Sequence, residues 1–164
     1  MHTALYYTNV TVHVLAALLW LGGMFFLAVV GAPALRAVEP PRLRQQLFQA
    51  LGTRFRRAGW VAISVLVVTG IGNLYFRGWL HEAVLTDGAF WRTGTGIALA
   101  VKLACVITMI TLSAVHDFVL GPRAGRAEPG SARAVRLRGI SSWTARVEAM
   151  VGLGLVIAAV RLAR

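Results

Sequence analysis

The sequence predicts an all-α integral membrane protein, a four-helix transmembrane bundle, and its composition and charge pattern are the basis for this prediction. Of the 164 residues, 57% are hydrophobic and only 14% are charged, whereas a soluble domain has about 25% charged residues. The uncharged residues form long runs, and no Asp, Glu, Lys or Arg occurs before Arg36. A helix needs about 20 apolar residues to cross the ~30 Å hydrocarbon layer of a bilayer.

Four spans are predicted at residues 5–30, 58–76, 94–120 and 140–162, within one membrane domain that covers residues 1–164. The first run has no basic residue before it and is longer than the apolar core of a signal peptide, so we expect a retained helix. The fourth span is less apolar, because Arg146 and Glu148 lie near its start and must extend toward water or pair within the bundle. The sequence shows no close repeat.

The net charge of +11 lies mainly in two loops. Six arginines follow the first span and five follow the third, while the middle loop is neutral. Lys and Arg mark cytoplasmic loops, which predicts a cytoplasmic (inner) membrane protein with both Arg-rich loops inside and both termini outside. The basic surface therefore indicates topology and contact with the lipid bilayer, and a nucleic-acid partner is not expected.

Ionisable residues inside a membrane are costly and often functional. His13 shares a face of the first span with Trp20, and Thr69 shares a face of the second with Asn73. Lys102 and His116 lie 14 residues apart in the third span, which separates them by ~21 Å along a helix. One metal ion is therefore not expected to bind both His13 and His116. Each residue also has a structural alternative: His13 in an interhelical hydrogen bond, Lys102 extended toward the interface, and His116 paired with Asp117 at a helix end.

These segments resemble a known family. His13 to Gly23 followed by Pro33-Ala-Leu-Arg36 looks like the first helix of CopD-like (copper resistance D) membrane domains. Gly59-Trp60, Thr69 to Ile71, and His116 to Pro122 fit the same group, so the resemblance covers roughly residues 6–122. The spacings are also similar to the haem-containing protoporphyrinogen oxidases of the HemJ type. In that family a first-helix histidine and a third-helix lysine are essential, and these positions correspond to His13 and Lys102.

With this resemblance, we predict a b-type haem protein with a redox or electron-transfer role, an oxidoreductase if it oxidises a hydrophobic substrate. A four-helix bundle can hold a flat macrocycle between its helices with an axial imidazole on the iron. His13 would be the axial ligand and Lys102 a second ligand or a partner of a propionate. Trp20 would pack on the ring and Asn73 orient a ligand, with His116 a further cofactor-binding candidate. A membrane redox partner or a quinone is compatible with this function, although no residue requires it.

Two alternatives stay open. The first is a copper-binding or copper-transport membrane protein, in which His13 binds the ion, with His2 and His81 as weaker candidate ligands at the outer surface. The second is a non-catalytic accessory membrane subunit, in which the histidines only pack. Signatures of soluble enzymes, such as a Gly-rich phosphate loop, Cys-x-x-Cys or His-Glu-x-x-His, do not occur in the sequence.

Overall fold

A computed structural model describes residues 2–127 and 131–162, and these residues form helices joined by turns, with no strand among them. Within the described residues, four helical segments are long and apolar enough to cross a membrane. The prediction of an all-α membrane protein with four spans is therefore confirmed. The segments are Thr3–Arg36, Pro41–Phe76, Gly94–Ala124 and Val135–Val160.

The chain divides into two compact units, one ending at Thr86 and one beginning at Asp87. The first unit is a hairpin of two long helices, which we call hairpin 1. Its first arm contains α1, a π-helical segment and α2, and its second arm is α3, followed by the short α4. The bounds are His2–Phe26 for α1, Leu27–Gly31 for the π-helical segment, Ala32–Arg36 for α2, Pro41–Phe76 for α3 and Glu82–Leu85 for α4.

The second unit contains a hairpin built in the same order, which we call hairpin 2. A 3₁₀ turn at Phe90–Arg92 precedes it, and Thr93 caps its first helix by accepting a hydrogen bond from the Gly96 amide at 3.1 Å. A side chain at Gly96 would collide with the Phe90 carbonyl, so glycine lets the helix start beside the turn. The elements are α5 (Gly94–Ala114), a π-helical segment (Val115–Leu120), α6 (Gly121–Gly125) and α7 (Ala132–Leu162).

Two helices begin earlier than the predicted spans. The Arg-rich segment that precedes the second span is continuous with it in α3, which begins at Pro41. Proline is tolerated in the first turn of a helix, where Pro41 lies, and no later residue of α3 is a proline. The second helix of hairpin 2 likewise starts at Ala132, before the predicted boundary at 140. The apolar content of a segment indicates where a membrane span can lie, but it does not determine where the helix begins.

Small residues allow the arms of hairpin 1 to pack closely. Trp20 on α1 is only 8% exposed, and its ring lies over Gly59 of α3. A Cβ atom at Gly59 would lie 3.7 Å from Cδ1 of Trp20, which is ordinary contact distance. Ala16, Ala62 and Ile63 are also buried. Small residues at helix interfaces are the usual way in which membrane helices approach each other.

The two hairpins share one structural framework, with equivalent residues 89 positions apart. The short helix α2 begins at Ala32 and its equivalent α6 begins at Gly121, each directly after a π-helical segment. Five of the seven described buried positions of hairpin 1 have a buried residue 89 positions later. The chain is therefore a structural repeat. These five pairs are Trp20 and Met109, Gly31 and Leu120, Gly59 and Glu148, Ile63 and Gly152, and Thr69 and Ala158.

Candidate functional site

Hairpin 1 contains a cluster of four polar side chains between its two long helices. Asn9 and His13 come from α1, one helical turn apart, and Thr69 and Asn73 come from α3 with the same spacing. Because residues i and i+4 lie on one face of a helix, each pair presents two groups to the other helix. We call these four residues the His13 cluster. It combines His13 and Asn73, two of the residues expected to bind a cofactor.

The hydrogen bonds around Thr69 favour one tautomer of His13. The Thr69 hydroxyl donates its only proton to the Val65 carbonyl at 2.6 Å. Nδ1 of His13 lies 2.7 Å from the same hydroxyl oxygen, and with the hydroxyl proton directed to Val65 it is Nδ1–H that donates in that contact. A neutral imidazole with its proton on Nδ1 has its lone pair on Nε2. Hydrogen bonding through one ring nitrogen is how metal-binding histidines are oriented.

Asn9 connects the two helices, and the sequence analysis did not single it out. Its amide nitrogen donates to the backbone carbonyl of Thr69 at 2.8 Å and to Oδ1 of Asn73 at 2.9 Å. Asn73 therefore accepts a hydrogen bond from Asn9. The available signal was the i, i+4 spacing of Asn9 and His13, which predicts a shared face but not the partner.

Glycines on α3 make room for the His13 cluster. A Cβ atom at Gly72 would lie 2.7 Å from Oδ1 of Asn9, closer than real Cβ atoms approach an oxygen. At Gly70 a Cβ atom would lie 3.6 Å from Cε1 of His13, an ordinary contact. The close approach at Gly72 is thus required for Asn9 to reach α3, and Gly70 leaves a small surface beside the imidazole.

Hairpin 2 contains a second polar cluster, at a different level of the shared framework. Glu148 of α7 is 6% exposed and accepts a hydrogen bond from the Ser113 hydroxyl of α5. Nδ1 of His116 lies 3.1 Å from Oδ1 of Asp117, so the pairing given as the structural alternative for His116 is present, but within the π-helical segment and not at a helix end. We call Ser113, His116, Asp117 and Glu148 the Glu148 cluster.

The remaining predicted residues lie outside these two clusters. Trp20 is buried between α1 and α3, Lys102 is half-buried on α5, and His81 is exposed at the start of α4. The side chain of His2 lies outside the described residues. Among the side chains that the structure describes, no three His, Cys, Asp or Glu residues gather where they could hold one metal ion.

The model of the family Copper resistance protein D matches residues 49–162. The chain belongs to the copper resistance protein D (CopD) family. An uncharacterized protein of Aquifex aeolicus (strain VF5) is 30% identical over 151 residues, which cover 92% of this chain and 90% of that protein. No solved structure matches the chain. The CopD-like resemblance is confirmed, and the similarity to HemJ-type oxidases stays a prediction.

CopD membership identifies the chain as a multi-pass membrane protein with a link to copper resistance. The matched residues of the CopD model include Thr69, Lys102 and the Glu148 cluster. His13 and Trp20 precede residue 49, so their assignment rests on the geometry of hairpin 1. Haem binding and an oxidoreductase activity, both expected from the sequence, stay predictions.

Proposed function

We propose that this CopD-family protein binds copper within the membrane, with Nε2 of His13 as a protein ligand. The observation that carries the proposal is the hydrogen bond between Nδ1 of His13 and the Thr69 hydroxyl. Imidazole nitrogen is a favourable ligand for copper. A partner on the opposite ring nitrogen fixes the orientation of the ring and raises the basicity of the ligand. Membership of the copper resistance protein D family is the reason for proposing copper as the metal.

The polar residues of hairpin 1 would prepare the site before the metal arrives. Thr69 would fix the orientation of the imidazole ring through its contact with Nδ1. Asn9, through its bonds to Thr69 and Asn73, would keep α1 and α3 in register at this level. A cation is costly in hydrocarbon, so donors inside membrane helices often mark the route of an ion. Copper would thus be the cargo of the protein, bound at His13 and passed on or retained.

Haem b is the second candidate, because hairpin 1 contributes one imidazole to its polar cluster. Haem iron takes four ligands from the porphyrin and needs an axial ligand from the protein. A half-buried histidine protonated on Nδ1 fits that requirement. In this case the cofactor would supply the redox chemistry, and His13 would hold its iron. The predicted roles of Lys102 and Trp20 belong to this candidate.

The same proposal includes an orientation. The Arg-rich loops would lie in the cytoplasm and both termini outside the inner membrane, because positively charged loops are retained on the cytoplasmic side. Hairpin 1 would then begin at the outer surface. The N-terminal half of α1, which carries His13, would receive copper from the outer side of the membrane.

The test is metal analysis together with an absorption spectrum on detergent-purified protein loaded with Cu(I) or expressed with ample haem. The variants are His13→Ala and, as a matched control on the exposed neighbouring position, Val14→Ala. Stoichiometric copper in the wild type and in Val14→Ala, lost in His13→Ala, is the expected result. A haem Soret band that depends on His13 would replace copper by haem. Neither metal in the folded wild type would contradict the metal-site proposal and favour the accessory-subunit alternative.

A further inference from the structure

One buried position of the shared framework is occupied by different residues in the two hairpins. In hairpin 1, Gly59 is buried under Trp20. In hairpin 2, the equivalent residues are Glu148 and Met109, which are 6% and 1% exposed. The same buried position therefore holds a glycine in hairpin 1 and a carboxyl group in hairpin 2.

Packing alone does not explain the carboxyl group at position 148. Hairpin 1 forms the same pair of helices with no side chain at the equivalent Gly59. A charged or polar group inside the membrane lowers stability unless it has partners, and such groups usually mark ion paths or proton relays. Glu148 has a partner in the Ser113 hydroxyl, which donates to Oε1. We therefore expect the carboxyl group to have a function other than packing.

Glu148 itself is buried, whereas the titratable side chains near it are more exposed to solvent. His116 and Asp117 follow Ser113, the partner of Glu148, by three and four residues on the same arm, a spacing that places side chains on one side of a helix. Their side chains are 37% and 21% exposed. Lys102 lies on the same arm but 11 residues before Ser113, which is ~16 Å along a helix. Of the nearby arginines, Arg146 on α7 and Arg123 on α6 are exposed. Of His116 and Asp117, His116 is the base, and its side chain is exposed enough to exchange protons with water.

We propose that Glu148 is a proton-binding site, which exchanges its proton with the protein surface through His116. The carboxylate takes a proton on Oε2 while Oε1 continues to accept from Ser113. The donor is the protonated imidazole of His116, which becomes neutral and is protonated again from water. Asp117 holds the imidazole by accepting a hydrogen bond from Nδ1. This site does not depend on copper or on His13.

Infrared difference spectroscopy on the purified full-length protein tests the proposal. We expect a pH-dependent carbonyl band of a protonated carboxyl group that shifts in D₂O, is lost in Glu148→Gln and is retained in Glu148→Asp. Glu82→Gln is the matched control, because Glu82 is an exposed glutamate on the surface helix α4. If the band persists in Glu148→Gln, or if no such band titrates in the wild type, the proposal is wrong.

Two further variants distinguish a proton site from a structural carboxyl group. Ser113→Ala removes the hydroxyl donor and shifts the frequency of the Glu148 band, which gives a test even if Glu148→Gln does not fold. His116→Gln leaves the band in place but slows its exchange with D₂O. Exchange that is unchanged in His116→Gln would contradict the role of His116. Both readouts are independent of metal binding and therefore of the proposed function.

Discussion

Nδ1 of His13 and the hydroxyl oxygen of Thr69 lie 2.7 Å apart, and this contact joins the two helices of hairpin 1. The Thr69 proton is engaged by the Val65 carbonyl, so the imidazole is the donor. The lone pair is consequently on Nε2. One interhelical hydrogen bond thus connects the packing of the hairpin to the chemistry of its histidine.

Thr69→Val should weaken copper binding by about tenfold without abolishing it, because residues that hydrogen-bond a metal-binding histidine have effects of this size. The substitution keeps the shape of the side chain and replaces the hydroxyl group with a methyl group. Copper titration measures the effect, and nitrogen NMR of labelled histidine should show the loss of the single Nδ1–H tautomer.

Thr108→Val is the matched control for Thr69→Val. Thr108 is exposed and bonds only its own helix in the described contacts, with its hydroxyl 2.8 Å from the Ala104 carbonyl. Copper affinity should be unchanged in this variant. Equal losses in both variants would show that the hydroxyl of Thr69 has no specific role.

Asn9→Ala should lower the free energy of unfolding by about 1–2 kcal/mol, because it removes two interhelical hydrogen bonds in a membrane protein. Unfolding in mixed detergent micelles measures the change. The control is Thr11→Val, since Thr11 bonds the Tyr7 carbonyl within α1 at 2.8 Å and is exposed. An Asn9→Ala variant as stable as the control would contradict the role of Asn9.

Gly72→Ala should destabilise hairpin 1 by about 1–3 kcal/mol, the usual cost of overpacking. Its new methyl group would meet Oδ1 of Asn9 at 2.7 Å. Gly22→Ala is the control, because no neighbouring atom lies within 4 Å of a Cβ atom there. That variant should be neutral or stabilised by up to about 1 kcal/mol, since alanine is the better helix former. Similar melting temperatures for the two variants would argue against the close approach.

Trp20→Ala should cost about 3–5 kcal/mol, as expected when a large buried aromatic residue is truncated. Trp143 offers a matched tryptophan on α7 that is 66% exposed, so Trp143→Ala should change stability much less. Thermal unfolding followed by circular dichroism compares the two. If Trp20→Ala is no more harmful than Trp143→Ala, Trp20 does not pack against Gly59 as described.

The membrane class and the four spans were predictable because they depend on local composition. Long uncharged runs predict spanning helices whatever their neighbours are. The start of α3 at Pro41 was not predicted, because an Arg-rich segment can continue a helix beyond its apolar part. The CopD-like resemblance also came from local motifs, such as His13 to Gly23.

The contacts of the candidate site depend on how two helices are rotated against each other, which local patterns do not determine. His13, Thr69 and Asn73 were assigned to helix faces correctly, but the role of Asn9 became visible only in the packed hairpin. The structural repeat was hidden because its equivalent residues differ in chemistry, as Trp20 and Met109 or Gly59 and Glu148 do. Buried positions correspond between the two hairpins, whereas the residue types at those positions differ.

X-ray absorption spectroscopy of the copper-loaded protein tests the central proposal most directly. The imidazole ring gives a recognisable outer-shell scattering pattern when its nitrogen binds the metal. We expect this pattern in the wild type and in Val14→Ala, and its loss in His13→Ala. Bound copper with the same imidazole signature in His13→Ala would contradict the assignment of His13 as the copper ligand.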